Sequence, residues 1–137
     1  MPRLEAALLA DNAQDYGGKV SILGGFVSML NVPGIPFAYV VQFVGRVSFS
    51  REDLEVPHHV QVSVTDDGAN AIFTANLELP PAPGVQDGVF VEKGQNLLVP
   101  LLLNIEAPGI YVVVLEVDGE ELAQLPLQVA VRAVPGP

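Results

Sequence analysis

The residues best suited to chemistry are two adjacent imidazoles, His58 and His59. A triad hydrolase would use one of them as a general base, and a metal centre would use them as ligands. If this segment is a strand, neighbouring side chains point to opposite faces, so the two rings cannot bind one ion together. The chain has no third histidine and no cysteine to complete a ligand set. We therefore expect both histidines to be structural or exposed to solvent, and we identify no catalytic residue.

Three aspartates raise the alternative of a calcium site: Asp66, Asp67 and Asp118. Calcium prefers oxygen ligands, and loops at one end of a β-sandwich can converge on an ion. The loops concerned, 66–68 and 118–121, could equally take a small ligand. Against this, an aspartate near glycine commonly makes local hydrogen bonds in a turn, and the chain has no Asp-x-Asp-x-Asp run. We favour turn chemistry, and we predict no metal ion and no cofactor.

Other polar groups offer no recognisable active site. Glu120 and Glu121 are adjacent, so on a strand their carboxylates diverge and suit a solvated sheet edge better than acid–base catalysis. The glycine pairs at 17–18 and 24–25 lack the lysine and hydroxyl residue of a phosphate-binding loop. No serine lies in a nucleophile-elbow pattern. We expect a protein that is not an enzyme and has no small-molecule substrate, with an unfamiliar histidine-based enzyme as the least favoured reading.

The charge balance bears on partners and location. Sixteen acidic residues against six lysines and arginines give a formal net charge of -10, which repels nucleic acid. The six cations are scattered, so they form no basic patch for an anionic membrane. The absence of cysteine suits a reducing compartment. Finding no signal-peptide core and no transmembrane segment, we expect a cytoplasmic protein, or one assembled into a particle.

Alternating apolar residues predict strands along most of the chain. The clearest rows are 60–65, 99–105 and, within a strand expected at 120–131, the alternate residues Leu125, Leu127, Val129 and Val131. Segment 110–117 is almost entirely β-branched or aromatic and predicts a central strand buried on both faces. Further strands are predicted at 19–30, 37–49 and 71–79. Segment 5–10 suits a strand slightly better than a helical turn, and Gly24-Gly25 suggests a bulge or a close backbone approach.

Asp118-Gly119 is the strongest local structural signal. This dipeptide accepts positive φ angles at both central positions of a type I′ turn, and it lies between two predicted strands. We therefore predict a hairpin. Seven to nine short strands, with no amphipathic helix, predict an all-β fold. The expected architecture is an antiparallel two-sheet β-sandwich, immunoglobulin-like or C2-like, that forms a single domain over residues 1–137.

Two stretches of the sequence resemble a known family. The first runs from Leu8 to Gln14 (Leu-Leu-Ala-Asp-Asn-Ala-Gln) and continues from Gly17 to Gly25. The second comprises Pro108-Gly109-Ile110-Tyr111 and the segment from Val117 to Ala123. Together they resemble a family of small uncharacterised bacterial proteins, a domain of unknown function. The resemblance implies a compact β-sandwich and brings no activity with it.

The apolar content motivates a functional hypothesis. Half of the residues are hydrophobic and only 16% are charged, which is below the roughly 25% typical of globular chains. Alternation places some large apolar side chains on outer sheet faces: Leu98, Leu102, Ile110, Val112 and Val114. We predict a structural or protein-interaction module that forms homo-oligomers, most simply a dimer, including the version in which it is a particle or capsid component. The alternative is that loops 50–57 and 80–96 cover these residues and leave a monomer.

Overall fold

A computed structural model describes residues 2–82 and 92–132. Within these residues the chain forms nine strands and one short 3₁₀ helix, Asp53–Glu55, between the fourth and fifth strands. The strands are β1 (Arg3–Tyr16), β2 (Lys19–Gly25), β3 (Met29–Val32), β4 (Phe37–Ser50), β5 (His58–Thr65), β6 (Ala71–Leu79), β7 (Glu92–Ile105), β8 (Gly109–Val117) and β9 (Glu120–Val131).

The strands form two sheets, which confirms the predicted sandwich. One sheet has the order β2-β1-β4-β7 and the other has the order β3-β9-β8-β5-β6. Most neighbours are antiparallel, but β3 pairs with β9 in parallel. The chain passes from the first sheet to the second between β2 and β3 without a hairpin. Since no hairpin joins β3 to β9, nothing local imposes an antiparallel direction on that pair.

The core lies between the sheets and consists of the alternating rows that the sequence predicted. Val60, Val62 and Val64 of β5 are fully buried, as are Leu101 and Leu103 of β7. In β8 the buried row is Tyr111, Val113, Leu115 and Val117. Apolar burial of this kind contributes about 1.5–3 kcal/mol per large side chain. The period of two thus selects which face of each strand packs inward.

The central position of β8 is confirmed, but its predicted burial on both faces is wrong. Its outer row is only partly covered at Val112 and Val114, and Ile110 is 50% exposed. Across the sandwich Leu98 is partly covered, whereas Leu102 is 49% exposed beside Val40 on the neighbouring strand. The apolar residues therefore do lie outward as predicted. In the described ranges no helix is long and apolar enough to cross a membrane.

The N-terminal part of the chain departs most from its predicted elements. The strand favoured at 5–10 is confirmed and extends over all of β1. The single strand predicted at 19–30 is instead two strands in different sheets, separated by Phe26, Val27 and Ser28. The close backbone approach expected at Gly24-Gly25 is confirmed. Gly24 has a φ of +62°, and a side chain there would overlap the carboxylate of Asp11.

The β8–β9 hairpin is present as predicted. Asp118 and Gly119 have φ angles of +54° and +82°, which are the two positive values of a type I′ turn. The strands on either side pair from Val117 and Glu120 back to Gly109 and Val129, with one bulge. This turn holds Asp118 at one end of the sandwich, beside the start of β5.

Candidate functional site

The two histidines begin β5 and point to opposite faces, as the sequence predicted. The His58 side chain is only 8% exposed and packs against the ring of Phe49, with ring centroids 4.9 Å apart. The His59 ring lies on the outer face. No single metal ion can therefore be bound by both rings.

Both nitrogens of the His58 ring are already engaged. Nδ1 lies 2.6 Å from Oδ2 of Asp118, and Nε2 lies 2.5 Å from the backbone carbonyl oxygen of Asp53. Burial by itself lowers the pKa of His58, but the hydrogen bonds to these two oxygens outweigh burial and raise it. A ring held on both sides in this way has no free nitrogen to accept a substrate proton. In this arrangement each ring nitrogen faces an oxygen atom of the protein itself.

Asp118 is the residue whose role the sequence did not predict. Besides the ring of His58, its carboxylate accepts a hydrogen bond from the backbone N–H of His59 at 2.8 Å, through Oδ1. Burial raises the pKa of Asp118. The hydrogen bonds from His58 and from this amide together outweigh burial, so the pKa is lowered. Asp118 therefore does more than form its own turn, because it joins that turn to β5. The only local signal was its place in the Asp-Gly turn.

His59 makes a weaker, surface arrangement. Its Nδ1 lies 2.9 Å from Oε1 of Glu78, and its Nε2 lies 3.0 Å from Oδ1 of Asn76. The hydrogen bond with Glu78 is the main cause of a raised pKa for His59. Exposed pairs of this kind contribute little to stability.

The three candidate calcium ligands do not come together. Because β5 and β8 are antiparallel, with Val60 opposite Val117, Asp118 lies beside the start of β5. Asp66 and Asp67 follow the other end of β5, so they lie at the opposite end of the sandwich. The loops at 66–68 and 118–121 therefore cannot share one ion or one small ligand.

Asp66 has the turn role that the sequence favoured. Its Oδ1 accepts hydrogen bonds from the backbone N–H groups of Gly68 and Asn70, each at 2.9 Å. The bond from Asn70 is the largest influence on the carboxyl group and lowers its pKa. These bonds organise the β5–β6 turn and use one carboxylate oxygen fully.

An acidic cleft of about 390 Å³ lies at this end of the sandwich. Asp66, Asp67 and Glu106 line it together with Tyr111, whose hydroxyl donates to the carbonyl of Ala107 at 2.6 Å. Within residues 2–82 and 92–132, however, no three acidic or histidine side chains are placed to hold a metal ion. The cleft is an acidic depression without a converged set of ligands.

The most unusual surface feature is Phe26, which the sequence analysis did not single out. Its side chain is 80% exposed, and its φ of +61° lies in the left-handed region. A non-glycine residue rarely adopts this conformation, and bulky residues do so least. The preceding Gly24-Gly25 pair was the one signal in the sequence that the backbone here is irregular.

The backbone on both sides of Phe26 is held by hydrogen bonds. Gly25 is paired with Ala10 at the end of β2. The N–H of Val27 donates to the carbonyl of Leu9 at 2.8 Å, and the carbonyl of Ser28 accepts from the N–H of Gln128 at 2.9 Å. The chain is thus fixed to both sheets within two residues of Phe26. The ring is presented to solvent by a constrained crossover, not by a loose loop.

A shallow groove of about 280 Å³ lies directly beside this ring. Its lining within the described part of the chain consists of Ala7, Leu8, Leu9, Phe26, Val27, Ser28, Leu125 and Pro126. No charged side chain is among these residues, although the chain carries 22 acidic and basic residues in total, 16 and 6. We refer to Phe26 and this groove together as the Phe26 surface.

Comparison with known proteins identifies one matching family and two solved structures that are distantly similar to this chain. The model of a family of unknown function, DUF6941, matches residues 5–130. A DNA glycosylase of Pseudomonas fluorescens, AlkC, solved bound to DNA containing an abasic site analogue, is 9% identical with a TM-score of 0.47. That alignment covers 94% of this chain but spans only 30% of the glycosylase chain. An immunoglobulin-like protein of Pseudomonas aeruginosa is 9% identical with a TM-score of 0.40, over 95% of this chain and 97% of that one. No curated protein matches the chain.

Proposed function

The chain belongs to the DUF6941 family, whose function is unknown, and we propose that it is a non-catalytic protein-interaction module that associates with copies of itself. The Phe26 surface carries this proposal. The other prominent groups have structural roles, since both nitrogens of His58 are engaged and Asp66 organises a turn. What is left is the Phe26 surface, whose projecting ring is 80% exposed and adds little to the folding of the isolated chain.

The backbone conformation of Phe26 is the observation that favours the binding of a protein partner at this surface. A left-handed φ costs an L-residue about 1–2 kcal/mol, and glycine would avoid that cost. At 80% exposure the ring also recovers little hydrophobic stabilisation from this chain. Strained residues that persist because their surroundings hold them in place often mark binding sites. A partner that covers the ring would provide the burial that the free chain lacks.

The partner that fits this surface is a second copy. In a two-fold dimer the same patch is used by both subunits, so the patch must complement itself. A projecting ring next to an apolar groove has this property, because each ring can enter the other subunit's groove. The groove also lacks charge, which limits the repulsion expected between two chains that each carry -10. A buried aromatic contributes about 150–250 Å² of the roughly 800 Å² per subunit of a standard interface.

Two residues could extend the contact beyond the groove. Leu23 near the end of β2 is 68% exposed and Met29 at the start of β3 is 45% exposed, and both lie within three residues of Phe26. Anchor residues surrounded by less important contacts are typical of specific interfaces. Assembly into a particle and a cytoplasmic location are further parts of this proposal, supported by the apolar surface and by the lack of cysteine.

Size-exclusion chromatography with light scattering tests the proposal. In moderate salt, which screens the net charge, the wild-type chain should elute as a dimer at micromolar concentration. Phe26→Ser should elute as a monomer. Ile110→Ser, which removes a half-exposed apolar residue from an outer sheet face, should remain a dimer. A wild-type monomer at high concentration would refute self-association.

A glycine in place of Phe26 distinguishes an effect on dimer formation from an effect on the stability of the fold. Phe26→Gly relieves the left-handed strain, so its unfolding free energy should equal or exceed that of a monomeric Phe26→Ser chain. Both variants should lose the dimer. If Ile110→Ser separates the subunits and the two Phe26 variants do not, the outer face of the second sheet is the interface and the Phe26 assignment is wrong.

A further inference from the structure

We propose that His58 carries a proton on both ring nitrogens at neutral pH and acts as a pH-dependent clamp between the β8–β9 turn and the segment that joins β4 to β5. Loss of that proton at alkaline pH releases the segment, residues 51–57. This device is independent of the proposed self-association.

The two contacts of the ring determine its protonation state. A neutral imidazole has one N–H donor and one acceptor nitrogen. Here a carboxylate oxygen of Asp118 faces one nitrogen at 2.6 Å and a carbonyl oxygen faces the other at 2.5 Å. A carbonyl oxygen cannot donate, and a carboxylate cannot donate either. Only the doubly protonated ring makes both hydrogen bonds.

A protonated Asp118 would be the alternative donor, and its own contacts disfavour it. Its second carboxylate oxygen accepts the N–H of His59, and the side chain is 44% exposed, so water also stabilises its charge. Hydrogen bonds to the charged form lower a carboxyl pKa. The proton therefore belongs to His58, and the pair is an imidazolium and a carboxylate.

The clamp joins the β8–β9 turn to the segment between β4 and β5, whose Leu54 packs partly against the core. The carbonyl it binds belongs to Asp53 in the 3₁₀ helix, which contains no buried residue. That helix exchanges two hydrogen bonds with Ser50, and the carbonyl of Leu54 accepts from the N–H of Ala82 at 2.8 Å. When the ring loses a proton, one of its nitrogens faces an oxygen atom with no hydrogen between them, and the lone pairs of the two atoms repel each other. We expect the 51–57 segment to be the side that moves, because Asp118 is also anchored by two hydrogen bonds with the backbone of His59.

The other charged groups around the ring come from several strands. Lys93 of β7 lines the small cavity beside the ring. The carboxylates of Asp118 and Asp53 favour protonation of the ring. On the opposite face of β5, His59 is paired with Glu78 of β6. The two carboxylates and the hydrogen bonds to Asp118 and to the carbonyl of Asp53 thus outweigh the burial of the ring.

Nuclear magnetic resonance of the histidine rings tests the clamp directly. The His59→Gln variant leaves a single imidazole, so its ring nitrogen shifts can be followed from pH 5 to pH 10 without overlap. We expect both nitrogens of His58 to be protonated at pH 7, with a midpoint above the ordinary value of 6.5. Asp118→Asn, added to this variant, should lower the midpoint. A neutral ring at pH 7 overturns the proposal.

Backbone relaxation in the same titration tests the release. Residues 51–57 should gain motion as His58 loses its proton, whereas residues of the β5–β6 turn at the far end of the sandwich should not. This reading needs no variant of His58, so it does not depend on how a substitution there folds. If residues 51–57 stay equally ordered on both sides of the midpoint, the ring is not a clamp.

Discussion

Replacing Gly119 by valine should measure backbone strain in the β8–β9 turn without any steric clash. Gly119 has a φ of +82°, and a Cβ placed there meets no atom within 4 Å. The cost is therefore conformational. An L-residue in the left-handed region loses about 1–2 kcal/mol, and a β-branched side chain lies at the upper end of this range. We expect Gly119→Val to lower the unfolding free energy by about 2 kcal/mol and Gly119→Ala by about 1 kcal/mol.

Urea denaturation at one fixed protein concentration is the suitable assay, because self-association would make the midpoint depend on concentration. The slope of the transition should not change, since the native fold is the same. In thermal unfolding, a loss of 2 kcal/mol corresponds to a fall in Tm of about 8 °C for a chain of this size.

Gly34→Val is the matched control for this substitution. A Cβ at Gly34 also meets nothing within 4 Å, but its φ lies outside the left-handed region. Valine there should leave stability unchanged or raise it by about 0.4–1 kcal/mol through the unfolded state. Equal midpoints for the Gly119 and Gly34 variants would refute the strain argument and the type I′ turn with it.

Four further outcomes can be checked with standard methods. Far-ultraviolet circular dichroism should show a β-rich spectrum, and a helical content above about one-quarter would contradict the fold. Leu103→Ala should lower the unfolding free energy by about 2–5 kcal/mol because Leu103 is fully buried, whereas Leu102→Ala should lower it far less in the monomer. Similar losses for the two variants would show that the inward and outward faces of β7 are wrongly assigned. Gly24→Ala should destabilise more than Gly17→Ala although their φ angles match, since only the first new methyl group meets a side chain, and equal unfolding free energies would contradict that contact. Because folding raises the pKa of His58, its contribution to stability is complete below about 6.5 and is lost as the pH rises through the folded-state pKa, so a flat stability profile from pH 7 to pH 10 would contradict the clamp.

The strands were predictable wherever one face of a strand is buried. Rows such as Val60, Val62 and Val64 alternate because successive side chains on a strand point to opposite sides, and only the inner side packs. The Asp118-Gly119 turn was predictable because its two positive φ angles restrict the residue types at those positions. In each case the information lies within a few neighbouring residues.

The crossover at Phe26 was not predictable in this way. Strand-forming apolar residues lie on both sides of Gly24-Gly25, from Ile22 to Leu30, and they favour one long strand. The strand ends because the chain leaves the first sheet and Met29 pairs with Gln128 in the second. Tertiary pairing overrides the local preference here and leaves an aromatic side chain in solvent.

The all-β class, the inward faces of the strands, the β8–β9 hairpin and the opposite orientations of His58 and His59 can all be derived from the amino-acid sequence. These follow from a period of two and from turn stereochemistry, which act over short range. Two features depend on the folded arrangement of the strands: Asp118 contacts His58, 60 residues away in sequence, and Asp66 and Asp118 lie at opposite ends of the sandwich. Contacts of that kind depend on which strands are neighbours and in which direction they run, and alternation within a strand carries no information about its neighbours.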